Sequence, residues 1–188
     1  MPKSAIYAIY NLRKATRTDR TLSSNYKAVL WKPGPFSVVP PTLTSRFCVW
    51  WLFSCCGIMR SGLYRVLLIM ENNVVVHRSC LVPKYFRWPF MASADLQISS
   101  TWTHPAHRGL GLATYALQYF VNGYAGSGRA LWYVTRAENA SSIAVCRACY
   151  FELATYARRT HRWGSLLLGR FVPISTEISN ENLAPHYR

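Results

Sequence analysis

Acidic residues are scarce in this sequence. Seven Asp and Glu stand against 22 Lys and Arg in 188 residues, a net charge of +15. That imbalance points to an anionic partner, whether a phosphorylated cofactor, nucleic acid or an acidic membrane surface, and does not choose among them. A long apolar run is missing as well. The most apolar stretch, Phe47 to Met59 (FCVWWLFSCCGIM), falls short of the roughly 20 residues that span a bilayer. It reads as a buried strand over residues 46–54 with its flanks; peripheral association with a membrane surface is the alternative reading. The N-terminal residues lack the apolar core of a signal peptide. The six cysteines lack the spacing of a disulfide framework, so they read as reduced thiols of a cytoplasmic chain. Cys146 and Cys149 match C-x-x-C, but no second pair or histidine stands at ligand spacing, and no metal site is expected. No internal repeat or low-complexity tract is present.

Half of the residues are apolar and 14% are aromatic, enough for a sizeable core. The length suits a single domain over 1–188, with an irregular or helical N-terminal part (1–45), a core over 60–175 and a loose tail (176–188). Residues 5–14 read as a helix. Residues 32–44 hold four prolines and read as irregular. Leu63 to Met70 and Val74 to Leu81 form the clearest hairpin, with Glu71-Asn72-Asn73 as its turn, because Asn tolerates left-handed backbone angles. Pro83 to Pro89 is an aromatic-basic loop. Strands follow over 96–103 and 130–135, helices over 110–122 and 139–149, and two closing strands over 150–158 and 165–174 flank a basic turn at 158–162. Asn139 stands near a helix N-cap. This order gives an α/β fold, a mixed and mostly antiparallel sheet with helices on its faces.

The informative stretch is Thr101 to Gln118, TWTHPAHRGLGLATYALQ. It reads as strand, glycine loop and helix start. Unsatisfied amides and the positive end of the macrodipole make such a start an anion site. Glycine lets the anion come close to those amides.

Arg108-Gly109-Leu110-Gly111-Leu112-Ala113 resembles the R/Q-x-x-G-x-G/A pyrophosphate loop of the GCN5-related N-acetyltransferases. Asn139-x-x-Ser142 and Tyr150-Phe151 resemble that family's second block, in the expected order. The resemblance covers roughly residues 60–175. It implies a splayed parallel strand pair and an acyl-coenzyme A co-substrate, acetyl-coenzyme A or another acyl form. It implies that Thr101, Trp102 and Thr103 receive the thioester arm, that Arg108 to Ala113 hold the pyrophosphate, that Asn139 reaches the pantetheine arm or the coenzyme's amide region, and that Ser142 and Cys146 also border the cofactor. Two positions depart from the pattern. Cys146 stands where many members carry an acid-acting tyrosine, and Tyr150 stands where a glycine is usual, so that turn should differ. The surroundings of His77 and Asp95 are similar to a branch associated with bacterial surface-polysaccharide genes.

Acyl transfer to an amine needs a base and a stabilised oxyanion. Between residues 60 and 100 only Glu71, His77 and Asp95 titrate near neutrality. His77 is the candidate base and Asp95 its candidate orienter or a base through water; each also reads as a structural residue. Tyr85, Trp88 and Phe90 are candidates for an acceptor pocket, since ring faces suit sugars. The resulting expectation is an N-acyltransferase working by direct transfer in a ternary complex, on an amino-sugar, sugar nucleotide or other small-molecule acceptor. A protein N-terminus or a small amine is the first alternative acceptor. A basic nucleic-acid-binding module is the alternative from another class, although no recognised binding motif supports nucleic acid. Monomer and homodimer stay open.

Overall fold

The Asn72-Asn73 turn anchors the sheet. Both residues adopt left-handed angles, φ 49° and 63°, and they join β3 (Arg65–Glu71) to β4 (Val74–Pro83). The computed structural model describes residues 5–14, 20–32, 45–59, 63–160 and 169–174, with residues 45–48 as backbone only. Around that hairpin lie β1 (Ile6–Leu12), β2 (Tyr26–Trp31), α1 (Ser45–Cys55), β5 (Leu96–Thr103), α2 (Leu112–Tyr124), β6 (Leu131–Arg136), α3 (Ala140–Ala148), β7 (Glu152–Arg159) and β8 (Phe171–Ile174). The strands make one sheet in the order β2-β3-β4-β5-β6-β1-β7-β8. Among the described residues only β5 and β6 run parallel to each other as neighbours. They are joined through α2, as a parallel connection requires.

Alternate residues of the central strands face opposite layers. Leu67, Leu81, Leu96, Ile98 and Tyr133 pack beneath α2 and α3 with Ala116, Leu117, Phe120 and Cys146. Val66, Leu68, Cys80, Val82 and Trp132 face the other side, where Trp50 and Phe53 of α1 and the 84–91 loop cover them. Two cores therefore sandwich the sheet, and the cleft described below opens on the side of α2 and α3.

The N-terminal third departs from the sequence reading. Residues 6–12 form a strand, not a helix. Ala8, Ile9, Tyr10 and Leu12 are buried because β1 is inserted between β6 and β7, antiparallel to both. A second strand, β2, lies in a stretch read as irregular and pairs with β3. The apolar run is helix α1 rather than a strand. An apolar run without polar interruptions carries no period to separate the two states. Trp50 and Phe53, three residues apart, turn inward against Tyr64 and Tyr85. Val49, Leu52 and Ile58 are exposed. No helix among the described residues is long and apolar enough to cross a membrane.

The C-terminal half follows the reading closely, with α2 starting two residues later and continuing through Gly123. Tyr150 is a correction: the turn keeps the left-handed conformation, φ 62°, without glycine. Phe151 N still reaches back to Cys146 O at 3.0 Å, as a helix C-terminal cap does. β7 and β8 pair antiparallel. The remainder of the basic turn, residues 161–168, and the tail after 174 lie outside the described residues.

Candidate active site

β5 and β6 share three rungs, Leu96↔Leu131, Gln97↔Trp132 and Ile98↔Tyr133, and then part. β6 keeps β1 as its other neighbour along its whole length, while Trp102 and Thr103 stay with β4. The parting begins at a bulge, where Ser100 and Thr101 together face Ser79 alone. Ser100 there takes φ 51°. An extra residue bends a strand and re-aims its side chains, which here opens the vertex of a V.

A cleft of about 690 Å³ fills that V. β5 contributes Thr101, Trp102 and Thr103 to its wall, and β6 contributes Tyr133. The loop and first turn of α2 add His107, Arg108, Gly109, Gly111, Leu112, Ala113 and Thr114. α3 and its cap add Asn139, Ser141, Ser142, Ala144 and Val145. Of the residues expected to hold a cofactor, Leu110 instead points to solvent, 58% exposed, and Cys146 is fully buried in the core.

The lining contains no acidic side chain among the described residues. Gly111 caps α2 at φ 77° without a side-chain hydrogen bond, and the first turn holds no acid. First-turn amides and the positive helix end thus meet Arg108 with nothing negative between them. Gly109 is also left-handed, φ 78°, and a Cβ built there would meet nothing within 4 Å. At Gly111 a Cβ would stand where the Arg20 guanidinium lies, so a further cation backs the same loop. Two left-handed glycines, open space and uncompensated positive charge fit a pyrophosphate. Arg108 Nε is anchored by donation to Thr103 O at 3.3 Å. Asn139 caps α3, its Oδ1 accepting from Ser142 N at 3.1 Å and from Ser141 Oγ at 2.9 Å. It therefore serves as helix cap and cleft wall together.

His77 is fully buried and does not line the cleft. Ser79 Oγ donates to Thr101 Oγ1 at 3.1 Å. The 2.9 Å contact between His77 Nε2 and Ser79 Oγ is then a donation from the ring. The other nitrogen, Nδ1, accepts from Thr103 Oγ1 at 2.8 Å. This assigns the tautomer from the network. Burial pushes the imidazole down to about 4, so it is neutral at pH 7.

Asp95 lies at the other end of β5, six residues and about 20 Å of strand from Thr101. Its carboxylate accepts from Ala92 N at 2.9 Å, Ala130 N at 3.2 Å and Trp132 Nε1 at 2.8 Å. Those bonds clamp the start of the parallel pair. Tyr85 and Trp88 belong to the core. Trp88 stacks on Phe171 at 4.7 Å, and Phe90 leans on Trp132 at 5.2 Å. Neighbouring rings take up the faces expected to meet a sugar.

Tyr133 escaped the sequence reading, where it was only one residue of an apolar strand. It lines the cleft with Thr101 and Ser142, and burial pushes its pKa up. It is the last residue of β6 paired with β5.

No protein-family model and no curated protein sequence matches the chain significantly. Solved structures do match. A GCN5-related N-acetyltransferase from Sphaerobacter thermophilus aligns with TM-score 0.58 and 14% identity, over 81% of this chain and 50% of that one. A tandem protein of that family from the clavulanic acid biosynthesis pathway aligns with TM-score 0.53 and 18% identity, over 80% and 51%. A candidate acetyltransferase of the family from Novosphingobium aromaticivorans aligns with TM-score 0.52 and 13% identity, over 82% and 62%. The chain spans less than two thirds of the length of each. The likeness shows the fold, a mixed sheet with a splayed parallel pair, that of the GCN5-related N-acetyltransferases.

Proposed function

We propose that the protein is an acyl-coenzyme A-dependent N-acyltransferase. The observation that carries the reading is the union of two features. The splay of β5 from β6 opens directly onto the uncapped start of α2, with its two left-handed glycines and Arg108. An extended thioester arm suits the splay, and a pyrophosphate suits the helix start. Arg108, Gly109, Gly111, Leu112 and Ala113 would hold the pyrophosphate. Thr101 to Thr103 and Asn139 would flank the arm. The bound thioester supplies the activated acyl carbon.

Direct transfer to the amine fits the side chains present. Cys146 is buried and pushed up to about 12, so it is no thiolate nucleophile at neutral pH. His77 at about 4 is a weak acceptor for an ammonium proton. In this reading it orients the hydroxyls of Thr103 and Ser79, and the unprotonated fraction of the amine reacts, releasing its surplus proton to water. The acceptor class carried from the sequence reading is an amino-sugar or sugar nucleotide, with a protein N-terminus or a small amine as the alternative.

Titration of acetyl-coenzyme A while following the melting temperature tests the reading, because a ligand specific to the folded state must raise it. Gly109→Ala puts a methyl group into the open space above the loop amides. It should abolish the rise while lowering the unliganded melting temperature only by the left-handed strain of about 1–2 kcal/mol. A wild-type protein that shows no rise at millimolar ligand would refute the reading.

A further inference from the structure

The flank of α2 turned toward β2 and β3 carries a second cavity, of about 680 Å³. Among the described residues it shares no wall residue with the cleft. Its size falls within the range of small-molecule sites. Tyr115, Gln118, Tyr119 and Asn122 line it from the helix, and their spacing of three and four puts them on one face. Leu30, Lys32, Arg65 and Leu81 line it from the sheet.

Strand register brings two cations together on that floor. Trp31 pairs with Val66 and Arg65 pairs with Leu81. One further step in the first register sets Lys32 opposite Arg65, on the face of Leu30 and Leu67. Like charges placed opposite each other weaken a sheet, and an anion seated between them offsets that cost. No acidic side chain lines the cavity among the described residues. Arg20 marks the end nearest the start of α2, its guanidinium beside Gly111.

The helix wall offers rings and an amide. Tyr115 and Tyr119 hold their ring centroids 6.4 Å apart, and Tyr119 is 37% exposed. Gln118 Oε1 is a buried acceptor without a hydrogen-bond partner, which is uncommon in a folded protein. Turning that amide into the cavity breaks no bond at the oxygen, and a ligand N–H would satisfy it. Side-chain amides pair with the donor and acceptor edge of a nucleobase, and aromatic side chains stack on its face. A pair of cations, a stacking ring and an amide along one groove match a phosphate, a base and its N–H edge.

We infer that this cavity binds a nucleoside phosphate, with Lys32 and Arg65 on the phosphate, Tyr119 against the base and Gln118 on its N–H edge. The cavity and the cleft lie on different flanks of α2, so the nucleotide and an acyl carrier occupy the chain together.

Calorimetry with UDP and GDP tests this, since neither carries the adenine of coenzyme A. At least one should bind roughly tenfold more tightly than inorganic pyrophosphate, because the base adds stacking. Tyr119→Ala should weaken that nucleotide about tenfold and pyrophosphate by less than about twofold. Lys32→Glu should weaken both by about tenfold or more. Tyr119 and Lys32 are both exposed, so both variants should fold. Gly109→Ala, in the cleft, should leave nucleotide affinity within about twofold, and excess acetyl-coenzyme A should not displace the nucleotide. Binding of neither nucleotide at millimolar concentration, affinity no better than that of pyrophosphate, unchanged affinity in Lys32→Glu, or displacement by acetyl-coenzyme A overturns the inference. Nucleotide binding without any response to acetyl-coenzyme A supports the inference and counts against the acyl-transfer reading alone.

Discussion

Asp95 offers the sharpest separation of a catalytic carboxylate from a structural one. Replacing it with alanine orphans three buried donors, Ala92 N, Ala130 N and Trp132 Nε1, now held at 2.9, 3.2 and 2.8 Å. Leaving a buried donor unpaired costs about 1–3 kcal/mol, and the losses are not additive within one network. The combined cost should be about 3–5 kcal/mol, near the upper end for a point mutation. At 2–4 °C per kcal/mol for a chain of this length, the melting temperature should fall by about 6–20 °C. Asp95→Asn can keep its oxygen toward Ala92 N and Trp132 Nε1, where both bonds meet Oδ2, and turn its amide toward Ala130 N. One donor is then lost, for about 1–3 kcal/mol. Calorimetry on both variants gives the order, and the acetyl-coenzyme A-induced rise gives the control. That rise should survive in the asparagine variant, because the carboxylate sits about 20 Å of strand from Thr101. An alanine variant melting within 2 °C of wild type, with acyl transfer abolished, would refute the clamp and restore Asp95 as a base.

Two further predictions rest on burial. His77 has its imidazole pKa depressed from 6.5 to about 4, so the unfolded chain binds the extra proton between those values; its contribution to stability is complete above pH 6.5 and is lost as pH falls toward 4. Urea midpoints should show about 2 kcal/mol less stability from this group at pH 5 than at pH 7.5, a difference that His77→Gln removes; equal slopes in both proteins would contradict it. Cys55 and Cys56 are exposed whereas Cys80, Cys146 and Cys149 are buried with raised pKa values, so mass-mapped thiol labelling should mark the first pair within minutes and the other three only on unfolding; early labelling of Cys80 would break the packing described under α1.

The parts legible in the sequence are those whose signal is local. Asn72 and Asn73 announce the hairpin because the turn itself demands left-handed angles. Strand β5, the glycine loop and α2 follow one another directly, so strand propensity, two glycines and an amphipathic helix suffice. Asn139 marks its own helix through a cap spanning three residues. β1 lacks such a signal. Its partners lie far along the chain, with Tyr7 opposite Arg136 and Ala157, and no adjoining turn declares the pairing. For α1, tertiary contacts decide: Trp50 and Phe53 find Tyr64 and Tyr85, which propensity cannot supply. Tyr85 and Trp88 were legible as aromatic but not as buried, because the ring that covers Trp88 comes from Phe171.

Each arm of the V is held in the sheet by a partner on its outer edge. Ile9, Ala8 and Tyr7 of β1 pair with Val134, Thr135 and Arg136, the part of β6 that has left β5. On the opposite arm, Arg78 and His77 of β4 pair with Trp102 and Thr103 beyond the bulge, and Val76 O extends the ladder to His104 N at 2.8 Å. These bonds use the outer edges of the two strands, so they keep each arm in the sheet without competing with the parallel pairing. The divergence itself begins at the bulge where Ser100 and Thr101 oppose Ser79, which bends β5 away after the rung of Ile98 and Tyr133.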